Sequence, residues 1–232
     1  MSWNKSIEKV SGQLEKAREF RYFALLATFV FFLDFSLVVF HKSHISALSY
    51  KSIASDYKLG QVLLFFTIFT FFMSFVVPLT QYLLRFISML LPYKILSFFG
   101  DDQWEDIEPK DYFYLYQLER YAIKNSNAIA YEYYKSLVSE KDKEHQLEFL
   151  CLALTISVAL DCYAYFVNKN ALFSWFIPFF SDNHLLFPNS IIALFLWALV
   201  LFSLYLGVIR AGGFSLSVSD RIYFPNNDFK KS

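Results

Sequence analysis

The sequence predicts an all-α integral membrane protein with four transmembrane helices and a helical cytoplasmic connection. Three observations support this fold class. The chain has 232 residues, of which 56% are hydrophobic and 29 are Phe, more than a soluble core of this length can hide. Its apolar residues form four segments close to the roughly 20 residues that a helix needs to cross a bilayer. Its Lys and Arg residues are concentrated in alternate connections.

The four apolar segments define the predicted spans, which are 22–40, 62–84, 147–167 and 191–209. The first is longer than the apolar part of a signal peptide and lacks a small-residue cleavage site after it, so we expect it to be retained. Pro78 removes a backbone donor from the second span, and we expect a helix kink there. The apolar stretch after residue 84 is predicted to lie along the membrane surface.

The distribution of Lys and Arg predicts the orientation. Placing both termini and the connection 85–146 in the cytoplasm puts 17 of the 21 Lys and Arg residues on that side. We expect the protein in the bacterial inner membrane, with the lipid bilayer as a partner. The net charge is zero, so direct binding of nucleic acid is not expected. The predicted divisions are a cytoplasmic tail 1–21, a first transmembrane hairpin 22–84, an interfacial and cytoplasmic helical segment 85–146, a second hairpin 147–209 and a cytoplasmic tail 210–232.

The two hairpins resemble each other. A shift of 127 residues aligns 25–42 with 152–169 and gives five identities, among them Asp34 with Asp161. The similarity fits a duplicated hairpin, but Leu- and Phe-rich segments also align by chance, and both interpretations stay open. In either case both carboxylates lie past the midpoint of a span that runs outward. We therefore expect them at a similar depth in the outer half of the membrane.

Asp34 and Asp161 are the candidate functional residues within the membrane. A charged Asp at the centre of a span costs about 2.5–3.5 kcal/mol, so such a residue usually faces the bundle interior or a wet cavity. Three roles are open: the pair holds helices together, it lines a path for an ion or proton, or each carboxylate reaches to the interface. Nearby hydroxyl groups offer local hydrogen-bond partners, namely Ser36, Tyr163 and Tyr165.

Enzymatic, cofactor and metal chemistry has little support in the sequence. Neither Asp belongs to an intramembrane-protease motif, and no glycine-rich phosphate-binding motif is present. His41 and His44 could share one helix face, but we expect solvated interface residues. Cys151 and Cys162 would be about 16 Å apart on one helix, which a disulfide does not span. We predict no enzyme activity, no cofactor and no metal.

Two connections carry aromatic residues that suit a partner or the membrane surface. The segment 101–146 is rich in Tyr and too short to bury a core alone, so it either docks on the bundle or binds a cytoplasmic protein. The candidate partner-binding residues are Tyr112, Tyr116, Tyr133 and Tyr134. The outer connection 168–190 is expected to anchor in the membrane interface. The candidate anchor residues are Trp175, Phe176, Phe179 and Phe180. The sequence also leaves a homo-oligomer open.

The overall plan, with spans over 22–209 and the cytoplasmic segment 101–146, resembles small multi-pass inner-membrane proteins of bacterial conflict systems. These are antiphage membrane effectors and immunity proteins against colicin-like toxins. For an effector, the resemblance implies triggered permeabilisation or depolarisation of the membrane. For an immunity protein, it implies that a pore-forming toxin is blocked within the inner membrane. A structural subunit of a larger membrane complex is the third reading. We favour the effector, because the largest predicted segment outside the membrane is cytoplasmic.

Overall fold

The computed structural model describes residues 3–41, 44–45, 58–92, 112–168, 171–174, 188–214 and 221–223. Six α-helices dominate these parts of the chain: α1 Trp3–His41, α2 Leu59–Phe71, α3 Val77–Leu90, α4 Leu115–Lys124, α5 Ala128–Asn168 and α6 Pro188–Leu204. Two π-helical segments occur, of which Phe72–Val76 joins α2 to α3 and Tyr205–Arg210 extends α6. The described part of the chain is therefore almost entirely helical.

Three helical stretches are long and apolar enough to cross a membrane. They are Phe20–Phe40 in α1, Leu59–Leu90 over α2 and α3, and Ala128–Val167 in α5. The stretch over α2 and α3 leaves most of its large apolar side chains exposed on the protein surface. Soluble proteins rarely expose so large an apolar patch, whereas lipid solvates it. These features indicate a multi-pass membrane protein.

The helices α1 and α5 form the centre of the bundle and run parallel. At one end, which we call the proximal end, Arg21 Nη1 donates to Gln146 Oε1 at 2.6 Å. Further along both helices, towards the distal end at which they finish, Asp34 meets Asp161. Many buried positions of the two helices hold small side chains, which let membrane helices approach closely; examples are Ala24, Thr28, Ala153 and Ser157.

Two apolar clusters join the remaining helices to this central pair. The first contains buried residues of α1, α5 and α6, namely Phe31, Leu154, Val158 and Leu199. The second joins α1 and α5 to the α2–α3 stretch through Phe32, Leu152, Ala153, Phe72 and Val77. The closest approach to α5 is made by Gly207, because a Cβ atom there would lie 2.3 Å from the Leu152 nitrogen.

Pro78 lies in the first turn of α3, directly after the π-helical segment Phe72–Val76. Proline has no N–H group, so the carbonyl four residues before it loses its α-helical donor. Just before the proline, the Val77 N–H donates to Phe72 O, five residues back, and the helix continues to Leu90. A π-helical turn thus lies directly before Pro78, the residue at which the sequence predicts a kink.

The middle of the chain differs from the sequence prediction at two points. α3 continues in line to Leu90, beyond the predicted end of the second span at residue 84. Its last part is held by Arg85, whose Nε donates to Ala211 O at 3.1 Å. In addition, Tyr112–Tyr114, which lie in the segment predicted to be helical, form a short strand that pairs antiparallel with Arg221–Tyr223 of the C-terminal tail, where no element was predicted.

Candidate functional site

The candidate site is the pair of Asp34 on α1 and Asp161 on α5. Both side chains are 0% exposed, and their carboxyl groups lie within hydrogen-bonding reach of each other. Because the two helices run parallel, residues at a similar position along each helix can meet in this way. The structure therefore brings together the two residues that the sequence singles out.

Three backbone N–H groups hold the two carboxylates. Asp34 Oδ1 accepts from the Ile45 N–H at 2.6 Å, and its Oδ2 accepts from the Leu172 N–H at 2.8 Å. Asp161 Oδ2 accepts from the Phe173 N–H at 2.8 Å. The first N–H groups of a helical turn have no partner within the turn, so carboxylates satisfy them well. We call the two acids and these three donors the distal clamp.

The distal clamp joins elements that are far apart in the chain. Leu172 and Phe173 belong to one 3₁₀ turn, so a single turn donates to both acids. Ile45 belongs to the connection that follows α1, and it donates to the same Asp34. The clamp consequently ties α1 and α5 to the chain that leaves each of them.

The sequence suggested that nearby hydroxyl groups bond to the two acids, and this expectation is wrong. Ser36 donates to Phe32 O, four residues back in its own helix, at 2.8 Å. Tyr163 is 64% exposed, and the ring of Tyr165 packs against that of Phe173 at 6.0 Å between centroids. Full burial of both acids is also incompatible with a role in which each carboxylate reaches separately to the membrane interface.

The fourth carboxylate oxygen is the chemically unusual atom of the site. Asp161 Oδ1 is buried and has no hydrogen-bond donor in the described part of the chain. Two negative carboxylates side by side repel in an apolar environment, whereas one proton held between them removes the repulsion and supplies the missing donor. Ser157, one helical turn from Asp161, also has a buried hydroxyl without a partner among the described residues. The arrangement can hold a proton or, when charged, attract a cation.

The four candidate tyrosines lie on three different elements. Tyr112 is in the short strand, Tyr116 is 62% exposed on α4, and Tyr133 and Tyr134 are partly buried on α5. The Tyr134 phenol faces Glu119 of α4. Part of this group therefore packs α4 against α5. The predicted interface anchors Trp175, Phe176, Phe179 and Phe180 lie outside the described residues.

A second polar cluster, which the sequence reasoning missed, lies at the proximal end. Glu148 is 9% exposed; its Oε1 is 3.1 Å from Arg210 Nε, and its Oε2 is 3.3 Å from His145 Nδ1. Arg210 Nη2 is also 3.2 Å from Glu144 Oε2. The spacing of three and four residues within α5 was the available signal, because such residues share one helix face. The cluster fastens the end of the last helix to α5.

Comparison with known proteins finds no family model, curated protein or solved structure that matches the chain. Among the residues that the structure describes, no group of three His, Cys, Asp or Glu side chains is placed to hold a metal ion. The geometry of the bundle and of its distal clamp is consequently the basis on which a function can be proposed.

Proposed function

We propose that the chain is a four-span protein of the bacterial inner membrane with both termini in the cytoplasm. The fourth span would be α6 with its π-helical extension, Pro188–Leu204 and Tyr205–Arg210. Together they measure roughly 35 Å, enough to cross the roughly 30 Å of a bilayer core. The orientation rests on the Lys and Arg distribution, and the parallel course of α1 and α5 agrees with it. The distal end of the bundle then lies in the outer half of the membrane.

A duplicated hairpin is part of the same proposal. Each acid accepts an N–H bond from a residue soon after its own helix, since Ile45 donates to Asp34 and Phe173 to Asp161. Under the shift of 127 residues, Ile45 corresponds to Leu172, which also belongs to the distal clamp. Equivalent helices and equivalent turns therefore meet around one pair of acids.

In function, we propose a bacterial defence effector that permeabilises or depolarises the membrane when it is triggered from the cytoplasm. The observation that carries this proposal is the continuity of α5, one helix of 41 residues from Ala128 to Asn168. Near its start it packs against α4 of the cytoplasmic segment, and near its end it holds Asp161. A movement of the α4–α5 unit by a bound partner would reach the distal clamp, roughly 45 Å away, through a single rigid element.

The buried state of the clamp corresponds, in this proposal, to the closed effector. Both acids are shielded from solvent and their N–H donors are satisfied. Separating α1 from α5 would expose both carboxylates and break the bond from the Leu172 N–H to Asp34, which joins the two sides of the clamp. Water and cations would be the ligands best suited to the exposed acids.

Opening the clamp without a trigger tests the proposal. Bacteria would express the double variant Asp34→Ala/Asp161→Ala from a tight promoter, and a potential-sensitive dye would report depolarisation. Loss of the acceptor of the Leu172 N–H, the bond that joins the two sides of the clamp, costs about 1–3 kcal/mol and is expected to favour the open state by roughly 5- to 150-fold. We expect the double Ala variant to depolarise the cells, whereas the wild type leaves the potential unchanged until it is triggered.

Two further variants serve as controls, and all variants are compared at equal protein levels in the membrane. Asp34→Asn/Asp161→Asn keeps one acceptor oxygen at each position and should depolarise the cells less than the double Ala variant. Leu154→Ala leaves a cavity in the α1–α5 packing outside the clamp and controls for general destabilisation. An unchanged potential with the double Ala variant would contradict the proposal, and equal depolarisation by Leu154→Ala would attribute the leak to lost packing.

An immunity protein is the second candidate, and one observation favours it. A cavity of about 450 Å³ opens between α1 and α2, with a largely apolar lining that includes Phe29, Leu33, Leu37, Phe65 and Phe66. An apolar helix of a pore-forming toxin would fit such a groove within the membrane. Cells that express the chain would then survive a colicin-type pore-forming domain, and Leu37→Trp, which fills the groove, would abolish this protection.

A further inference from the structure

A cavity of about 450 Å³, lined by both polar and apolar side chains, lies at the proximal end between α3 and α5. Gln81 and Arg85 of α3 form one wall, and His145, Gln146, Phe149 and Leu150 of α5 form the other. Polar side chains thus occupy the side nearest the end of the helices, with Phe149 and Leu150 further along α5. In a membrane, this arrangement places the cavity where the acyl region meets the headgroups.

Arg85 brings a positive charge to the cavity that no carboxylate of the described chain neutralises. Its Nε donates to Ala211 O at 3.1 Å, which fixes the guanidinium and leaves its two terminal nitrogens available. The nearest acids are engaged elsewhere. Glu148 contacts Arg210 with one oxygen and His145 with the other, and Glu144 contacts Arg210.

Arg21 adds a second positive charge behind the cavity wall. Its Nη1 donates to Gln146 Oε1 at 2.6 Å and so engages the amide oxygen of this lining residue. The Nε of Arg21 is buried and has no acceptor among the described residues. The polar groups that line the cavity are therefore the Arg85 guanidinium, the His145 ring and the amides of Gln81 and Gln146.

We propose that this cavity binds a phosphoryl anion, either the headgroup of an anionic phospholipid or a soluble phosphate. Guanidinium groups present planar pairs of N–H donors that match phosphate oxygens, and amide N–H groups complete such a site. Phe149 and Leu150 would contact the glycerol and the first acyl carbons of a lipid. The inference requires only that this end of α3 and α5 lies at a membrane surface, and it is independent of triggered permeabilisation.

Binding to the purified full-length protein in detergent tests the site. After removal of lipid, the thermal unfolding of the protein would be followed by Trp fluorescence while dioleoyl phosphatidylglycerol, dioleoyl phosphatidylcholine or inorganic phosphate is added. We expect phosphatidylglycerol to stabilise the wild type at lower concentration than phosphatidylcholine. Arg85→Gln removes a charge-assisted contact and is expected to weaken this effect about tenfold or more.

Two variants keep the test decisive. Gln146→Glu places a negative charge in the wall while it keeps an acceptor for Arg21, so it should fold and lose anion binding. Arg120→Gln, on α4 and outside this cavity, serves as the matched control and should bind like the wild type.

The titrations with phosphatidylglycerol and with inorganic phosphate distinguish a lipid headgroup from a soluble anion. Arg85-dependent stabilisation by phosphatidylglycerol alone identifies a lipid site, and Arg85-dependent stabilisation by inorganic phosphate identifies a soluble anion. Equal binding of both lipids, or equal losses with Arg85→Gln and Arg120→Gln, would overturn the proposal.

Discussion

Replacing Asp34 with Leu is expected to lower the free energy of unfolding by about 2–6 kcal/mol, because two buried N–H groups lose their acceptor at about 1–3 kcal/mol each. These are the N–H groups of Ile45 and Leu172, which bond to different oxygens of the same carboxylate. Asp34→Asn keeps one acceptor oxygen and can donate to Asp161, so its loss should be smaller. The measurement is reversible unfolding in mixed micelles.

Ser36→Ala is the matched control for this prediction. Ser36 is also buried and polar and lies in the same part of α1, but its hydroxyl bonds only to Phe32 O of its own helix. Its removal is expected to change stability by no more than about 0.5 kcal/mol. If Asp34→Leu unfolded like Ser36→Ala, the N–H bonds of the distal clamp would contribute nothing to the fold.

Gly207→Ala is expected to lower the free energy of unfolding by about 3 kcal/mol, the upper part of the range for overpacking. The added methyl carbon would lie 2.3 Å from Leu152 N and 2.6 Å from Cys151 C. Both neighbours are backbone atoms, so no side-chain rotation relieves the clash. The α6 extension must move away from α5 and lose its contacts along the π-helical segment. The same unfolding experiment in micelles measures the loss.

Gly60→Ala provides the control for Gly207→Ala. Gly60 is also a helical glycine, but a Cβ atom there meets nothing within 4 Å. Because Ala favours a helix over Gly, this substitution is expected to be neutral or to stabilise the protein by up to about 1 kcal/mol. Equal stabilities of the two variants would show that α5 and α6 are not in close backbone contact.

The sequence was sufficient to predict the long apolar helices and to single out Asp34 and Asp161. Apolar segments of the right length are the strongest signal of a membrane helix, and an acid within such a segment needs a partner inside the bundle. The distal clamp was not predictable, because every residue except proline has a backbone N–H group, and these groups leave no mark in the sequence. The clamp uses the backbone N–H groups of Ile45, Leu172 and Phe173. In the sequence, the apolar side chains of these residues suggest only a role in packing.

The errors in the middle of the chain also have physical causes. The second span was predicted to end at residue 84, whereas α3 continues to Leu90 and the Nε of Arg85 donates to Ala211 O. The strand pair Tyr112–Tyr114 and Arg221–Tyr223 is only three residues long on each side, too short for a reliable alternation of apolar and polar residues.

The bond between the Leu172 N–H and Asp34 spans 138 residues of sequence, which has a consequence for biosynthesis. At about 5–20 residues per second, a ribosome needs roughly 7–28 s to make the intervening chain. For that time, Asp34 has entered the membrane without Asp161 or either donor from the turn after α5. Helix α1 must therefore be held by other contacts until α5 and the turn after it have been made. Assembly of this bundle is completed only when synthesis has passed the turn at residues 171–174.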